Sequence, residues 1–224
     1  MPTIGFLHTA DVHVATFRAL LREVAPDATD VTVIDADLLA VVRRTGLDDG
    51  LRERLRVRLH ELAGWPVDVI VCTCSTLSGE AESLGPVAGV PVLRVDRPMA
   101  EVAVADGGRV ALVAAVASTL GPTRALLEEA AATAGNNARI VEAPCLDAWA
   151  LFERGDLHHY LERLAEHVLR LARQGDVDVI VLAQASMAPV ALLVPEVTLP
   201  VLSSPRLAVE WAAALAGNSP MPSR

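Results

Sequence analysis

The 224-residue sequence contains no lysine, since all 19 of its basic residues are arginines. A Schiff base with pyridoxal phosphate, a lysine-type amine nucleophile and a Walker A phosphate loop each require a lysine. These three kinds of chemistry are therefore excluded. The sequence also lacks a G-x-G-x-x-G motif after a predicted strand, so nothing indicates a Rossmann dinucleotide site.

Aromatic residues are scarce as well, at 3%, although 52% of the sequence is hydrophobic. Alanine, valine and leucine must therefore fill the core. Apolar runs stay shorter than the roughly 18 residues that a membrane-spanning helix needs, and the longest candidate, Val110–Ala117, is typical of a buried strand. We expect no membrane partner.

The three cysteines form no even disulfide framework, and the chain opens on the apolar Ile4–Leu7 without a basic leader. Both features predict a cytoplasmic protein. The net charge of −9 argues against nucleic acid as a partner but leaves room for a small anion at a local site. The C-x-C pair has no second pair at zinc spacing, so we expect no metal site.

Three short strings recur in the same order at offsets of 106 to 110 residues, which indicates two structurally similar halves. The period is too long for a solenoid repeat. The strings are R-A-L-L-x-E (Arg18–Glu23, Arg124–Glu129), V-D-V-I-V (Val67–Val71, Val177–Val181) and P-V-L (Pro91–Leu93, Pro200–Leu202).

Short apolar runs rich in β-branched residues alternate with segments of helical periodicity, a pattern typical of parallel α/β proteins. Their near-continuous apolar character indicates sheets covered on both faces. The predicted strands are Thr3–Leu7, Val31–Asp35, Val67–Cys72, Pro91–Val95, Arg109–Ala115, Arg139–Ala143, Val177–Ala183 and Pro200–Ser203.

Four long helices are predicted between these strands: Val14–Val24, Asp49–Ala63, Pro122–Ala134 and Asp156–Arg173. Two of them carry an apolar stripe, formed by Leu51, Leu55, Leu59 and Leu62 in one and by Leu157, Leu161, Leu164 and Val168 in the other.

The sequence thus predicts two similar lobes, each a mostly parallel four-stranded sheet flanked by helices, related by pseudo-twofold symmetry. The first lobe comprises residues 1–96 and 206–224, and the second comprises residues 97–205.

The two halves differ six residues after the aspartate of the V-D-V-I-V string, where the first has Cys74 and the second has Gln184. A thiol can act as an acid, a base or a nucleophile, whereas an amide can only form hydrogen bonds. Both residues follow a predicted strand, and ligands of open parallel sheets bind beyond the carboxyl ends of the strands. If the lobes face each other, the two loops share one cleft.

The segment V71-C72-T73-C74-S75-T76 resembles the first cysteine motif of the aspartate/glutamate racemase superfamily, often A-C-N-T. The segment L182-A183-Q184-A185-S186-M187 resembles the second motif, L-G-C-x-G-M, with Gln184 on the cysteine. The opening I4-G5-F6-L7-H8-T9 resembles the first strand and loop, with His8 where glutamate racemases place an aspartate. The superfamily includes aspartate, glutamate and hydantoin racemases, maleate isomerase and arylmalonate decarboxylase.

This resemblance implies a cofactor-independent racemase or isomerase that acts at the α-carbon of a small carboxylate, with a homodimer as a possible assembly. Because one of the two cysteines is missing, racemisation by two thiols is disfavoured. A decarboxylase or a cis–trans isomerase that uses Cys74 alone remains open. Two other classes also remain open: a carboxylate-binding protein that has lost catalysis, and a hydrolase that pairs Cys74 with His8.

The candidate catalytic residues are Cys74, as nucleophile or proton donor, His8, as proton shuttle, and Gln184, as donor to an enolate oxygen. Backbone N–H groups of the turn after the strand are expected to lower the pKa of Cys74. Arg94 and Arg97 could bind a second carboxylate or form salt bridges. The expected substrate contacts, which could equally be helix caps, are Thr9, Ser75, Thr76, Ser118, Thr119, Ser186 and Met187.

Overall fold

The structure, a computed structural model, describes residues 1–217. The described chain divides into two compact units, one made of Met1–Arg97 with residues 205–217, and the other of Pro98–Ser204. Residues 218–224, which the sequence analysis assigns to the first lobe, lie outside the described part of the chain.

Each unit contains a four-stranded sheet in which every strand pair is parallel, with order β2-β1-β3-β4 in the first and β6-β5-β7-β8 in the second. The predicted fold of two α/β units with four-stranded parallel sheets is confirmed. The strands are β1 (Thr3–His8), β2 (Thr29–Ile34), β3 (Val69–Cys72), β4 (Val92–Arg94), β5 (Arg109–Val113), β6 (Arg139–Glu142), β7 (Val179–Leu182) and β8 (Val201–Ser203).

Helices connect the strands, as parallel pairing requires. They are α1 (Val12–Val24), α2 (Ala36–Thr45), α3 (Asp49–Ala63), α4 (Ser78–Ser83), α5 (Gly85–Ala88), α6 (Arg97–Val104), α7 (Ala117–Thr133), α8 (Trp149–Glu153), α9 (Leu157–Gln174), α10 (Val190–Leu193) and α11 (Ser204–Ala216). Short 3₁₀ turns lie at Leu146–Ala148 and Ala185–Met187. Among residues 1–217, no helix has the length and apolar character that crossing a membrane requires.

The prediction that α7 begins at Pro122 is wrong, because the helix begins five residues earlier, at Ala117. Proline favours the first turn of a helix, but here it lies inside one. The true start follows the extended residue Val116, whose backbone N–H donates to the side chain of Gln184. A hydrogen bond between residues so far apart in sequence leaves no mark in the local pattern.

The aspartate of the repeated string has the same structural role in both units. The Asp68 carboxylate accepts a hydrogen bond from the backbone N–H of Thr3, at 2.8 Å, and that of Asp178 accepts one from Arg109, at 2.7 Å. Each aspartate thus fixes the first residue of the neighbouring central strand, β1 or β5.

Sheet register relates the two units residue by residue. Leu7 pairs with Cys72 in the first sheet, and Val113 pairs with Leu182 in the second. By this register Cys74 corresponds to Gln184, as the sequence repeat predicts.

The apolar stripe of α3 packs in the core as predicted, with all four leucines at most 2% exposed. In α9, Leu164 and Val168 are fully buried. Leu157 is 40% exposed, so its predicted burial is wrong. It is the first residue of α9, where the next two residues, His158 and His159, are exposed as well.

Candidate active site

Cys74 lies at the carboxyl edge of the first sheet, two residues after β3 ends. The backbone N–H of Thr73 still bonds to the Leu7 carbonyl, at 3.0 Å, so the parallel ladder continues as far as that residue. The chain then turns, because the N–H groups of Leu77 and Ser78 both donate to the Cys74 carbonyl, at 2.9 and 2.8 Å. The thiol thus stands at the tip of a strand-to-helix turn, where a ligand of a parallel sheet is expected.

The environment of this thiol favours its protonated form. Cys74 is 7% exposed, and burial raises the pKa of its thiol. Hydrogen bonds from the Thr9 side chain and from the backbone of Leu77 and Thr76 act in the opposite direction, whereas the negative charge of Asp96 raises the pKa further. The expected lowering of the pKa is therefore wrong: the backbone groups act as predicted, but desolvation outweighs them.

The other two cysteines are core residues. Cys72 is fully buried, and desolvation strongly raises the pKa of its thiol. Cys145 is 2% exposed and its thiol donates to the Asp147 carboxylate, at 3.5 Å. Burial and the neighbouring Asp147 charge raise the pKa of Cys145 to about 11.

His8, the last residue of β1, lies among aromatic rings and does not bond to Cys74. Its Nδ1 is 2.8 Å from the Thr73 hydroxyl, which itself donates to the Leu7 carbonyl. Nδ1 therefore carries the proton, and within residues 1–217 the buried Nε2 has no hydrogen-bond partner. The ring of His8 contacts that of Phe17, at 5.3 Å between centroids.

Burial, with a smaller contribution from His13, lowers the pKa of His8 to about 4. The side chain is therefore neutral near pH 7. Because neither ring nitrogen bonds to the thiol among the described residues, the dyad that a Cys74 hydrolase needs is not formed. No hydrogen bond between His8 and Cys74 supports the predicted role of His8 as a proton shuttle.

Gln184 takes part in the fold of the second unit. Its Oε1 accepts hydrogen bonds from the backbone N–H groups of Ala115, at 2.6 Å, and Val116, at 3.0 Å. These two groups follow β5 and lead into α7, so the side chain caps the start of that helix. The amide oxygen is thus engaged by the backbone, and the amide NH₂ is the part that could donate to a ligand.

Three of the predicted contacts in the second unit, Ser186, Met187 and Thr119, differ in their hydrogen bonds and burial. The hydroxyl of Ser186 lies 2.8 Å from that of Tyr160. Met187 is fully buried, and its backbone N–H donates to the Gln184 carbonyl, at 3.0 Å. Because that N–H group is already bonded, the predicted anion contact at Met187 is not supported. Thr119 is buried in the first turn of α7.

Two predicted contact residues have buried hydroxyl groups with no hydrogen-bond partner in the described part of the chain, Ser75 in the first unit and Ser118 in the second. Buried polar groups are nearly always hydrogen-bonded. An unpaired hydroxyl beside a candidate catalytic residue is the arrangement that a polar ligand would satisfy. Thr9, through its side chain, and Thr76, through its backbone, donate hydrogen bonds to the Cys74 thiol.

Sequence reasoning missed two buried polar residues. Asp96 follows β4, is fully buried and forms an ion pair with Arg94. Tyr160, the only tyrosine of the chain, reaches Ser186 from α9. Arg97 also forms an ion pair, with Glu82. The R-V-D string at a strand end was the available signal for Asp96, since residues two apart on a strand share a face.

The fold and the thiol turn define a class of two-unit parallel α/β protein with one cysteine beyond a central strand. The family model of Asp/Glu/hydantoin racemases matches residues 9–212. The chain belongs to the Asp/Glu/hydantoin racemase family. No curated protein sequence matches it significantly. Described residues 1–217 hold no group of three or more His, Cys, Asp or Glu residues that could bind a metal ion.

Solved structures of this fold resemble the chain over almost its whole length. Picrophilus torridus aspartate racemase is 16% identical, with a TM-score of 0.72, over 97% of this chain and 95% of that one. Bacillus anthracis glutamate racemase RacE1 is 17% identical, with a TM-score of 0.71, over 98% and 84%. Unliganded arylmalonate decarboxylase is 15% identical, with a TM-score of 0.62, over 98% and 95%.

Proposed function

We propose that this protein is a cofactor-independent enzyme that transfers a proton to the α-carbon of a small carboxylate from one thiol, that of Cys74. The observation that carries the proposal is the thiol turn itself. A buried, protonated cysteine stands beyond a central strand of the first sheet, and the equivalent position of the second sheet holds an amide. One proton donor supports chemistry on one face of the carbon.

Decarboxylation of an α-substituted malonate is the reaction that best fits a single acid. The C–C bond to the departing carboxylate breaks and carbon dioxide leaves. The electron pair of that bond stays on the remaining fragment, which becomes an enediolate. The thiol then gives its proton to the α-carbon, and the resulting thiolate takes a proton from water. The Ser75 hydroxyl, which is buried without a hydrogen-bond partner among residues 1–217, would donate to the developing negative charge.

The proposal is tested by incubating the protein with α-substituted malonates and monocarboxylates in deuterium oxide. Proton NMR would follow the conversion of substrate to product, and a missing α-proton signal would reveal deuterium at the α-carbon. Chiral chromatography would separate the two enantiomers of the product. We expect one enantiomer, and we expect Cys74→Ala to lower the rate by about 100-fold or more. Cys145→Ala, which removes a buried thiol from the second unit, should keep the wild-type rate. Equal rates in the Cys74→Ala variant would refute the proposal.

A carboxylate-binding protein without catalysis is the second candidate. It is favoured by the engagement of Gln184 Oε1 with two backbone N–H groups, which commits that side chain to the fold. Calorimetry with the same compounds separates the two functions. Binding that survives Cys74→Ala, together with no deuterium incorporation by the wild-type protein, would favour the binding protein.

A further inference from the structure

A buried ionic network lies beside the thiol turn in the first unit. The carboxylate of Asp96, which is fully buried, accepts hydrogen bonds from Arg94 Nε at 3.0 Å and Nη2 at 3.1 Å. The hydroxyl of Ser78 also donates to it, at 3.1 Å. Asp96 therefore joins the end of β4 to the first residue of α4.

This network is linked to the thiol residue through Ser78. The backbone N–H of Ser78 donates to the Cys74 carbonyl, at 2.8 Å, while its side chain is held by Asp96. Gly79 makes room for the ion pair, because a Cβ atom there would stand 2.7 Å from Arg94 Nη1. The position of the turn that carries Cys74 thus depends on a carboxylate 22 residues further along the chain.

The residues that correspond to this network at the end of the second sheet cannot form one. Sheet register pairs Arg94 with Cys72 and Ser203 with Leu182, so Ser203 corresponds to Arg94 and Pro205 to Asp96. The counterpart of Ser78 is Ala188. A buried ion pair can often be replaced by apolar residues without loss of stability. Its presence in the thiol-bearing half alone points to a role at the thiol.

We propose that Asp96 is a positioning residue for the reaction. It fixes the Cys74 turn through Ser78, and its negative charge disfavours the thiolate form of Cys74. This inference rests on the proposed function, in which Cys74 gives up a proton. The charge of Asp96 also raises the pKa of the Cys74 thiol, in agreement with that role. Cys72 also interacts with this thiol, and its own pKa is raised by the charge of Asp96 and lowered by that of Arg94.

The test is the pH midpoint of Cys74 alkylation by iodoacetamide, with the modified cysteine located by tandem mass spectrometry. Asp96→Asn should lower the midpoint by about one pH unit, which is roughly a tenfold faster reaction at a fixed lower pH. Thr9→Val removes a hydrogen bond that favours the thiolate, so it should raise the midpoint. A general loosening of the turn would move both variants in the same direction.

Two further variants separate charge from position. Ser78→Ala keeps the carboxylate, so it should leave the midpoint within about 0.3 units of wild type while kcat falls. Glu82→Gln removes a different carboxylate of α4, one that pairs with Arg97, and it should change neither quantity.

Asp96→Asn leaves Arg94 buried without its carboxylate, so its fold must be checked by thermal unfolding. The double variant Arg94→Met/Asp96→Leu removes both charges and should also lower the midpoint. An unchanged or raised midpoint in either folded variant would overturn the inference. The alkylation midpoint is measured without substrate, so it does not depend on the proposed function. Full turnover by Cys74→Ala would refute the proposed function, whereas the effect of Asp96 on the midpoint would still be tested.

Discussion

The loops that follow β3 and β7 occupy equivalent places in their sheets but use their side chains differently. In the first, the Cys74 thiol accepts a hydrogen bond from the Thr9 side chain. In the second, Gln184 bonds to the backbone of Ala115 and Val116 and so builds the start of a helix. The same position therefore carries the proposed proton donor in one half and a helix cap in the other.

The groups that anchor the two loops differ as well. A buried carboxylate, Asp96, holds the first loop through Ser78. A neutral pair of hydroxyls, Tyr160 and Ser186, holds the second. A charge beside the thiol alters its proton affinity, whereas a neutral pair beside an amide has no such effect. The charged group that changes the proton affinity of the thiol thus lies in the same half as the thiol.

The largest effect that separates the loops is expected from Gln184→Ala. The substitution leaves the N–H groups of Ala115 and Val116 without their acceptor, at a cost of about 2 to 5 kcal/mol in the free energy of unfolding. Cys74→Ala removes only a weak sulfur acceptor from the backbone N–H groups of Leu77 and Thr76. The Leu77 N–H keeps its bond to the carbonyl of residue 74, so this variant should cost about 1 kcal/mol. Urea denaturation of both variants measures the difference.

Gln184→Glu is the matched control, because it keeps an oxygen acceptor at the same place and should lose less stability than Gln184→Ala. A loss below 1 kcal/mol for Gln184→Ala, combined with complete loss of turnover, would instead make the amide a catalytic group and remove the contrast between the halves.

The second effect concerns the ends of β1 and β5, where His8 in the first unit corresponds to Ala114 in the second by sheet register. Because the pKa of folded His8 is about 4, only the unfolded chain binds this proton between pH 6.5 and pH 4. Acid therefore favours unfolding. The stability present above pH 6.5 should fall by up to about 3 kcal/mol as the pH reaches 4.

His8→Phe keeps a ring beside Phe17 and removes the titration, so its stability should depend less steeply on pH over this range. His158→Gln changes a side chain that is 76% exposed and should leave the wild-type slope. Unfolding in urea at pH 7, 6, 5 and 4 supplies the slopes. Parallel slopes for wild type and His8→Phe would show that the histidine ring takes up its proton in the folded state.

The sequence predicts the sheets well and the contacts of the site poorly. The sheets follow from local apolar patterns, whereas the contacts join residues that are far apart in sequence. Strands such as Val69–Cys72 and Val179–Leu182 are buried on both faces, so local apolar runs identify them. Helix α2 (Ala36–Thr45) was missed, since only Leu38 and Val42 of its ten residues are buried. Two buried positions are too few for a clear amphipathic stripe.

The site depends on hydrogen bonds between residues far apart in sequence. Motif and repeat reasoning found Cys74 and its counterpart, Gln184, because both follow a strand. It could not show that Gln184 binds the backbone of Val116 or that His8 bonds to Thr73, since those partners lie 68 and 65 residues away. Nor could it show that burial would outweigh the backbone groups that lower the pKa of the thiol.

The smallest effect is expected where the neutral anchor of the second loop is removed. Tyr160 is fully buried, and burial strongly raises the pKa of its phenol, so it keeps its proton and can donate to Ser186. Tyr160→Phe deletes that one hydrogen bond while the ring keeps its contact with Phe152. We expect a loss of about 1 kcal/mol in the free energy of unfolding and no change in the alkylation midpoint of Cys74. A shifted midpoint would mean that the second loop also controls the thiol, and the division of roles between the halves would then fail.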